Sequence, residues 1–208
     1  MCRTFFYVNQ INNCGRNMQY FLKNIAKKLV FGSILIYNYK VIRVKEEIYM
    51  VTLDKIYHAS YVLKDVVIPT PLVKATAISD DCEVYLKPEN LQITGSFKVR
   101  GSGYKISQLT EEEKKRGVIA CSAGNHAQGV ALAATKYGIK SLICLPDGAP
   151  ISKVEATKGY GAEVCMVPGV YDDAYNKACE LRDEHNYTFI HPFDDENVIA
   201  GQGTIGIE

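Results

Sequence analysis

GVIACSAGNHAQGVALAATKYGIKSLICLP, residues 117–146, places a short apolar run, a stretch with helix-like apolar spacing that closes in glycine, and a second apolar run in succession. The unit recurs. GVIACS, SLICLP, AEVCMVP and YTFIHPF follow one another at intervals of about 22 to 24 residues, each short and carrying β-branched residues, as strands do. Between them lie NHAQGVALAATKYG, ISKVEATKGYG and DDAYNKACELRDEHN, the first two ending in glycine and the third in His-Asn, as helix C-termini commonly do. Neighbouring parallel strands need a crossover of a dozen or more residues, so this pitch predicts an α/β fold, an open parallel sheet with right-handed crossovers and helices on both faces.

Upstream, EVYLKPENL reads as a strand stopped at Pro88, and SFKVRGSGYKISQL as a helix entered from the ITG turn. VTLDKIYHASYVLKDVV reads as an amphipathic helix ahead of the proline-fixed, extended IPTPL. At 208 residues, 47% hydrophobic and 23% charged, the chain has the makeup of a soluble globular protein of one large domain or two small ones. The net charge of +1 conceals an asymmetry: residues 1–49 hold eight Lys/Arg against Glu46 and Glu47, leaving 16 bases against 21 acids beyond. A basic arm raises the possibility of nucleic-acid binding or of a transit peptide. Ser33 is its one serine, which argues against transit, and its apolar run LVFGSILI starts too late for a secretory leader. That run is also far short of the roughly 20 residues a membrane-spanning helix needs. The segment is read as an extension outside the working domain, with Met50 the natural start.

The seven cysteines (Cys2, Cys14, Cys82, Cys121, Cys144, Cys165 and Cys179) are odd in number, contain no CxxC pair, and have no histidine at metal-ligand spacing. Free thiols in a reducing, cytoplasmic setting and no metal site are the expectation. Cys121, Cys144 and Cys165 lie in apolar runs and read as small buried hydrophobes.

Ligands of open α/β sheets sit beyond the carboxyl ends of the strands. CSAGNHAQG is such a place: Ser122, Ala123, Gly124, Asn125 and His126 follow the strand VIAC and open a helix whose unpaired amides attract an anion. Read alone, the loop is either a carboxylate or phosphate cradle or a plain turn with a capping serine. GQGTIG, residues 201–206, matches GxGxxG, yet it follows a helix-like DDENVIA and has no acid some 20 positions on, so a dinucleotide turn is not expected. Lys98, in TGSFKVRG, falls in the first turn of a helix. There the dipole and partial desolvation both disfavour a charged amine, which makes Lys98 either a solvated cation or a nucleophile toward an aldehyde. His185 and His191 read as structural.

With PTPL, YLKPENLQITGSFKVRG, CSAGNHAQGVALAA, PDGAPISKVEATKGYGAEV and FIHPFDDENVIAGQGTIGIE in order, the chain from about Thr52 to Glu208 resembles the fold-type II pyridoxal-phosphate enzymes, and among them the threonine dehydratases (threonine ammonia-lyases). The resemblance implies a tryptophan synthase β-like α/β fold, pyridoxal 5'-phosphate as cofactor, and a small amino acid as substrate. It also implies a homo-oligomer when full length, with neither nucleic acid nor membrane as partner. By that likeness Lys98 is the Schiff-base lysine and catalytic base, Phe97 lies against the cofactor, and Asn125 bonds the pyridoxal 3-hydroxyl. The loop Ser122, Ala123, Gly124, Asn125 and His126 grips the substrate carboxylate, and Thr94 and Gln128 sit where a nucleotide effector would touch. The implied reaction is dehydration and deamination of L-threonine or L-serine to 2-oxobutanoate or pyruvate and ammonia, in isoleucine biosynthesis or threonine catabolism.

Serine racemases of this fold carry a serine at the position of Ala123, so dehydration is favoured over racemisation. The rival readings are serine racemase or threonine synthase on the same fold, and a non-catalytic fragment. The family continues beyond the equivalent of Glu208 with a glycine-rich phosphate loop. The expected organisation is therefore a basic extension over residues 1–49, the leading part of a large domain over 50–116, a small α/β domain over 117–194, and a truncated return to the large domain over 195–208.

Overall fold

Strand β1 (Arg3–Val8) runs parallel to β3 (Glu83–Pro88), on whose other side the two-residue β2 (Val73–Lys74) pairs antiparallel. Six residues of the basic segment thus form an edge of a three-stranded sheet. The structure, a computed structural model, describes residues 3–8, 51–78 and 83–208, all within one unit. The rest of the basic segment, including Cys2 and Cys14, lies outside the described residues, as do residues 79–82 with Cys82.

Helix α1 (Leu53–Val62) begins at Thr52, whose hydroxyl accepts from the Lys55 amide at 3.3 Å. Ala59, Leu63, Val66 and Val67 from α1 and the turn after it share a core with Val99 and Tyr104 of α2 (Lys98–Ser107). Helix α3 (Glu111–Arg116) has no buried residue and no apolar period. It forms because Thr110 and Glu113 make a capping box, and because acids fill its first turn and bases its last, each sign facing the favourable end of the dipole.

The larger sheet follows as read from the repeat: β4 (Val118–Cys121), α4 (Asn125–Lys136), β5 (Ser141–Pro146), α5 (Ile151–Gly159), β6 (Glu163–Val167), α6 (Tyr171–His185) and β7 (Thr188–Phe189). Its strands are all parallel, in the order β6-β5-β4-β7. Side chains alternate across it. Val118 and Ala120, with Ile143 and Leu145, join Ala127, Val130, Ala131 and Ala134 of α4 in one layer, while Ile119, Cys121 and Cys144 face Ala174 and Ala178 of α6 in the other. Burial on both faces is why β4 reads as an unbroken apolar run. β7 is shorter than YTFIHPF suggested. After Ile190 donates its amide to the Ile119 carbonyl at 2.9 Å, the chain meets Pro192, which has no N–H to continue the ladder.

Cys121, Cys144 and Cys165 are register partners across three strands, and they are free thiols. Burial pushes the Cys121 thiol up to about 11 and the Cys144 thiol up to about 12, so both serve as packing groups.

Helix α2 is held from two sides by contacts that leave no room for a side chain. A Cβ on Gly129 of α4 would stand 3.0 Å from the Lys98 carbonyl carbon and 2.8 Å from the Ser102 hydroxyl. On the opposite flank, a Cβ on Gly201 of α7 (Glu196–Gly203) would lie 2.5 Å from the Arg100 carbonyl oxygen. Gly201 therefore serves helix packing, and GQGTIG is the end of a helix and a 3-10 turn, with no strand before it. One charge network also centres on α2. Arg100 donates to both oxygens of Glu89 at 2.7 Å, and both side chains are wholly buried. Arg100 also reaches Glu208 at 2.7 Å, which Lys87 holds at the same distance, and Thr70 donates its hydroxyl to Glu89 at 2.6 Å. Burial works against the Arg100 charge, but the bonds to Glu89 and Glu208 outweigh it and hold its pKa above the ordinary value.

Candidate functional site

Lys98 is the first residue of α2, a helix with no acid in its first turn. Its Nζ lies 2.7 Å from the Pro192 carbonyl oxygen and 5.1 Å from the centroid of the Phe97 ring. The side chain is half-buried, and that desolvation lowers its pKa. The neutral amine is thus more accessible than at an exposed lysine.

The loop after β4 is anchored at its start by the Ser122 amide, which donates to the Cys144 carbonyl at 3.2 Å, and is tightened by the Gly124 amide donating to Ser122 Oγ at 3.2 Å. Gly124 is the N-cap of α4 and offers no side-chain cap, so the first amides of that helix remain open donors. A Cβ at Gly124 would meet nothing within 4 Å, so the loop has a free face on which a ligand can lie. Ala123 packs its methyl against the core. Asn125 Oδ1 accepts from Lys153 Nζ at 2.9 Å.

His126 is 3% exposed, and its Nε2 lies 2.9 Å from the Ile190 carbonyl, so this nitrogen carries the proton. Burial drives its pKa down to about 4 against a partial lift from that bond, and the nearby Lys98 and His191 charges lower it further. His191 accepts the Asp194 and Phe193 amides at Nδ1, at 2.6 and 3.3 Å, and so shapes the turn that carries Pro192. Burial lowers its pKa too, against Asp194 and Asp195. Thr94 and Gln128 are both buried, and Thr94 donates its hydroxyl to the Ser96 carbonyl at 3.3 Å. His185 is on the outer end of α6, 3.8 Å from Glu184. Among the described residues no cluster of three His, Cys, Asp or Glu could hold a metal, and no helix is long and apolar enough to cross a membrane.

Two groups at this site carry no sequence signal. The Pro192 carbonyl is backbone, and Lys153 looks like any lysine on an amphipathic helix. The HPFDDEN stretch, with a proline among turn formers, was the nearest hint of the first.

The buried neutral His126 makes stability depend on pH. In the unfolded chain it titrates near 6.5, in the folded chain near 4, so between these values the unfolded state binds more protons and stability falls as the pH is lowered. The expected contribution lost is about 3 kcal/mol, reached by pH 4. Urea unfolding across this window should show a shallower decline in His126→Gln than in the unaltered chain; equal slopes would remove His126 as the cause.

A half-buried amine of lowered pKa beside an aromatic ring, with a loop of open helix amides, suits an aldehyde cofactor held by the amine and an anionic ligand held by the loop. Residues 63–208 match the family described as pyridoxal-phosphate dependent enzyme, and the chain belongs to that family, with its fold-type II α/β architecture. Within it, the chain is 51% identical over 161 residues to the L-threonine ammonia-lyase of Thermotoga maritima, an alignment covering 76% of this chain and 40% of that protein. The processed form of threonine deaminase isoform 2 from Solanum lycopersicum superposes with a TM-score of 0.69 at 38% identity, over 75% of this chain and 48% of that one. Maize serine racemase gives 0.71 at 34% identity, over 74% and 47%. The chain spans less than half the length of each of these relatives.

Proposed function

We propose that the chain forms part of a pyridoxal-phosphate-dependent threonine dehydratase, which converts L-threonine, and L-serine, to the 2-oxo acid and ammonia. The half-buried Lys98 amine at the helix start carries this reading, and the 51% identity to a threonine ammonia-lyase supports it. Lys98 would hold the cofactor by its aldehyde, with Phe97 against the ring and Asn125 toward the ring oxygen. When bound, the cofactor supplies the electron sink that makes the substrate Cα–H bond acidic enough to break.

The chain's own groups then have separate tasks. The open amides at the start of α4, within the loop of residues 122–126, bind and orient the substrate carboxylate. Lys98 Nζ, its pKa lowered by desolvation, accepts the Cα proton. The β-hydroxyl leaves as water, its departure balanced by the proton that Lys98 took from Cα, and a second water hydrolyses the resulting enamine to 2-oxo acid and ammonia. His126 acts here through its backbone amide, its imidazole being committed to Ile190. Residues 117–194 are assigned to the small domain and 50–116 with 195–208 to the large one; the amino-acid substrate, the homo-oligomer and the cytoplasmic setting belong to the same proposal.

Serine racemase is the second reading, because maize serine racemase superposes as well as the deaminase does. Ala123 disfavours it: a methyl packed on the core has no proton to give to the opposite face of Cα. The test is a product assay on the cofactor-loaded protein. L-Threonine should yield 2-oxobutanoate, and L-serine should yield pyruvate with no D-serine; D-serine as the main product would overturn the assignment. Ala123→Ser should raise the D-serine fraction above the unaltered protein's.

A further inference from the structure

We propose that Lys153 is a positioning residue that turns Asn125 into a dedicated hydrogen-bond donor facing the cofactor's ring oxygen, an inference that rests on the reading of Lys98 and Asn125 given above. A carboxamide presents a donor at one end and an acceptor at the other, and the two ends are nearly identical in shape. An ammonium group has donors only. With Lys153 Nζ 2.9 Å from the Asn125 side chain, the end facing Lys153 must be Oδ1, and Nδ2 with its two N–H bonds is directed elsewhere. A donor-only face stabilises an ionised oxygen and gives nothing to a hydroxyl hydrogen.

The placement of Lys153 is costly by every local rule. It lies in the first turn of α5, and that turn holds no acid, so its charge opposes the helix dipole. It is half-buried, and among the described residues no carboxylate pairs with it; its partner is a neutral amide 28 positions away, on the first turn of a different helix. Val154 and Thr157 are buried, and Thr157 donates its hydroxyl to the Lys153 carbonyl at 2.8 Å, so the backbone that carries the ammonium is fixed. A cation held in this way adds its own field to the amide that it orients. Both effects favour the ionised form of an oxygen bonded to Asn125 Nδ2.

The experiment follows the bound cofactor's two absorption bands, one for the protonated and one for the ionised ring oxygen, through a pH titration of the cofactor-loaded chain. Lys153→Met should raise the protonation midpoint by about one pH unit, a tenfold change in the equilibrium, and weaken cofactor binding several-fold. Lys153→Arg, which keeps donors and charge, should restore most of both. Asn125→Ala should shift the midpoint in the same direction, and the double variant should shift it by less than the sum of the two single changes. Lys153→Gln serves if the methionine variant does not fold, and it should shift the midpoint in the same direction. A midpoint moved by Asn125→Ala but not by Lys153→Met or Lys153→Gln overturns the role of Lys153 and leaves the site reading intact. A midpoint moved by neither, or an unaltered chain that takes up no cofactor, overturns the site reading and this inference together.

Discussion

Replacing Lys98 with alanine is expected to abolish covalent capture of pyridoxal phosphate and to lower dehydratase turnover by about a hundredfold to ten-thousandfold, the range associated with losing a positioned acid-base group. The proposed chemistry asks one amine to do two things, hold the aldehyde and accept the Cα proton, and the described residues place no second lysine in its position beside Phe97 and Pro192. The fold should tolerate the change, because α2 is fixed through Val99, Arg100 and Ile106, all fully buried, and not through the lysine. Borohydride reduction followed by peptide mass spectrometry should find the pyridoxyl group on Lys98 in the unaltered protein and nowhere in Lys98→Ala. An adduct on another residue, or 2-oxobutanoate formed at an undiminished rate, would end the assignment.

The largest loss of stability is expected from Arg100→Ala, at about 3–5 kcal/mol. Among the described residues, the truncation leaves Glu89, wholly buried, with the Thr70 hydroxyl as its remaining side-chain donor, and it frees Glu208 from two of its bonds. The desolvation already incurred by Glu89 is then uncompensated. Arg100→Met combined with Glu89→Leu removes both buried charges and should recover part of that loss, the rest reflecting the acceptor taken from the buried Thr70 hydroxyl. Urea unfolding of the two variants decides the matter. A cost below about 1 kcal/mol for Arg100→Ala would mean that water reaches Glu89 and that the network is no more than a surface ion pair.

Much of the fold was legible because its physics is local. Ser141–Pro146 was read to the residue, since a parallel strand covered on both faces must be a short apolar run between turn formers. α4 was legible from Ala127, Val130, Ala131 and Ala134, one helical stripe facing the core. Helix α3 was missed because Glu111–Arg116 has no apolar residue to set a period; its signal was the capping box and the order of charges. β2 was missed because two residues within IPTPLVK are too few to alternate.

At the site, the sequence singled out the amine and the open loop, which lie at the two helix starts that bear them. Neither the Pro192 carbonyl nor the contact of Lys153 with Asn125 could be foreseen. Both depend on segments brought together across 94 and 28 positions, and no periodicity encodes such distances. The same holds for the ring linking Arg100, Glu89 and Glu208, whose members look individually like ordinary surface charges.

The bare contact between Gly129 and the Lys98 backbone has a consequence for how this site can change. Because Gly129 lies against the Lys98 main chain, and the Ser102 hydroxyl beside it is bonded to the Lys98 carbonyl, little there can absorb a change in spacing. The span from the amine to the Ser122–His126 segment is therefore set like the gap of a caliper. Under the proposed function, new substrate preferences would then arise by exchanging the groups mounted on that segment, while the gauge itself stays as it is.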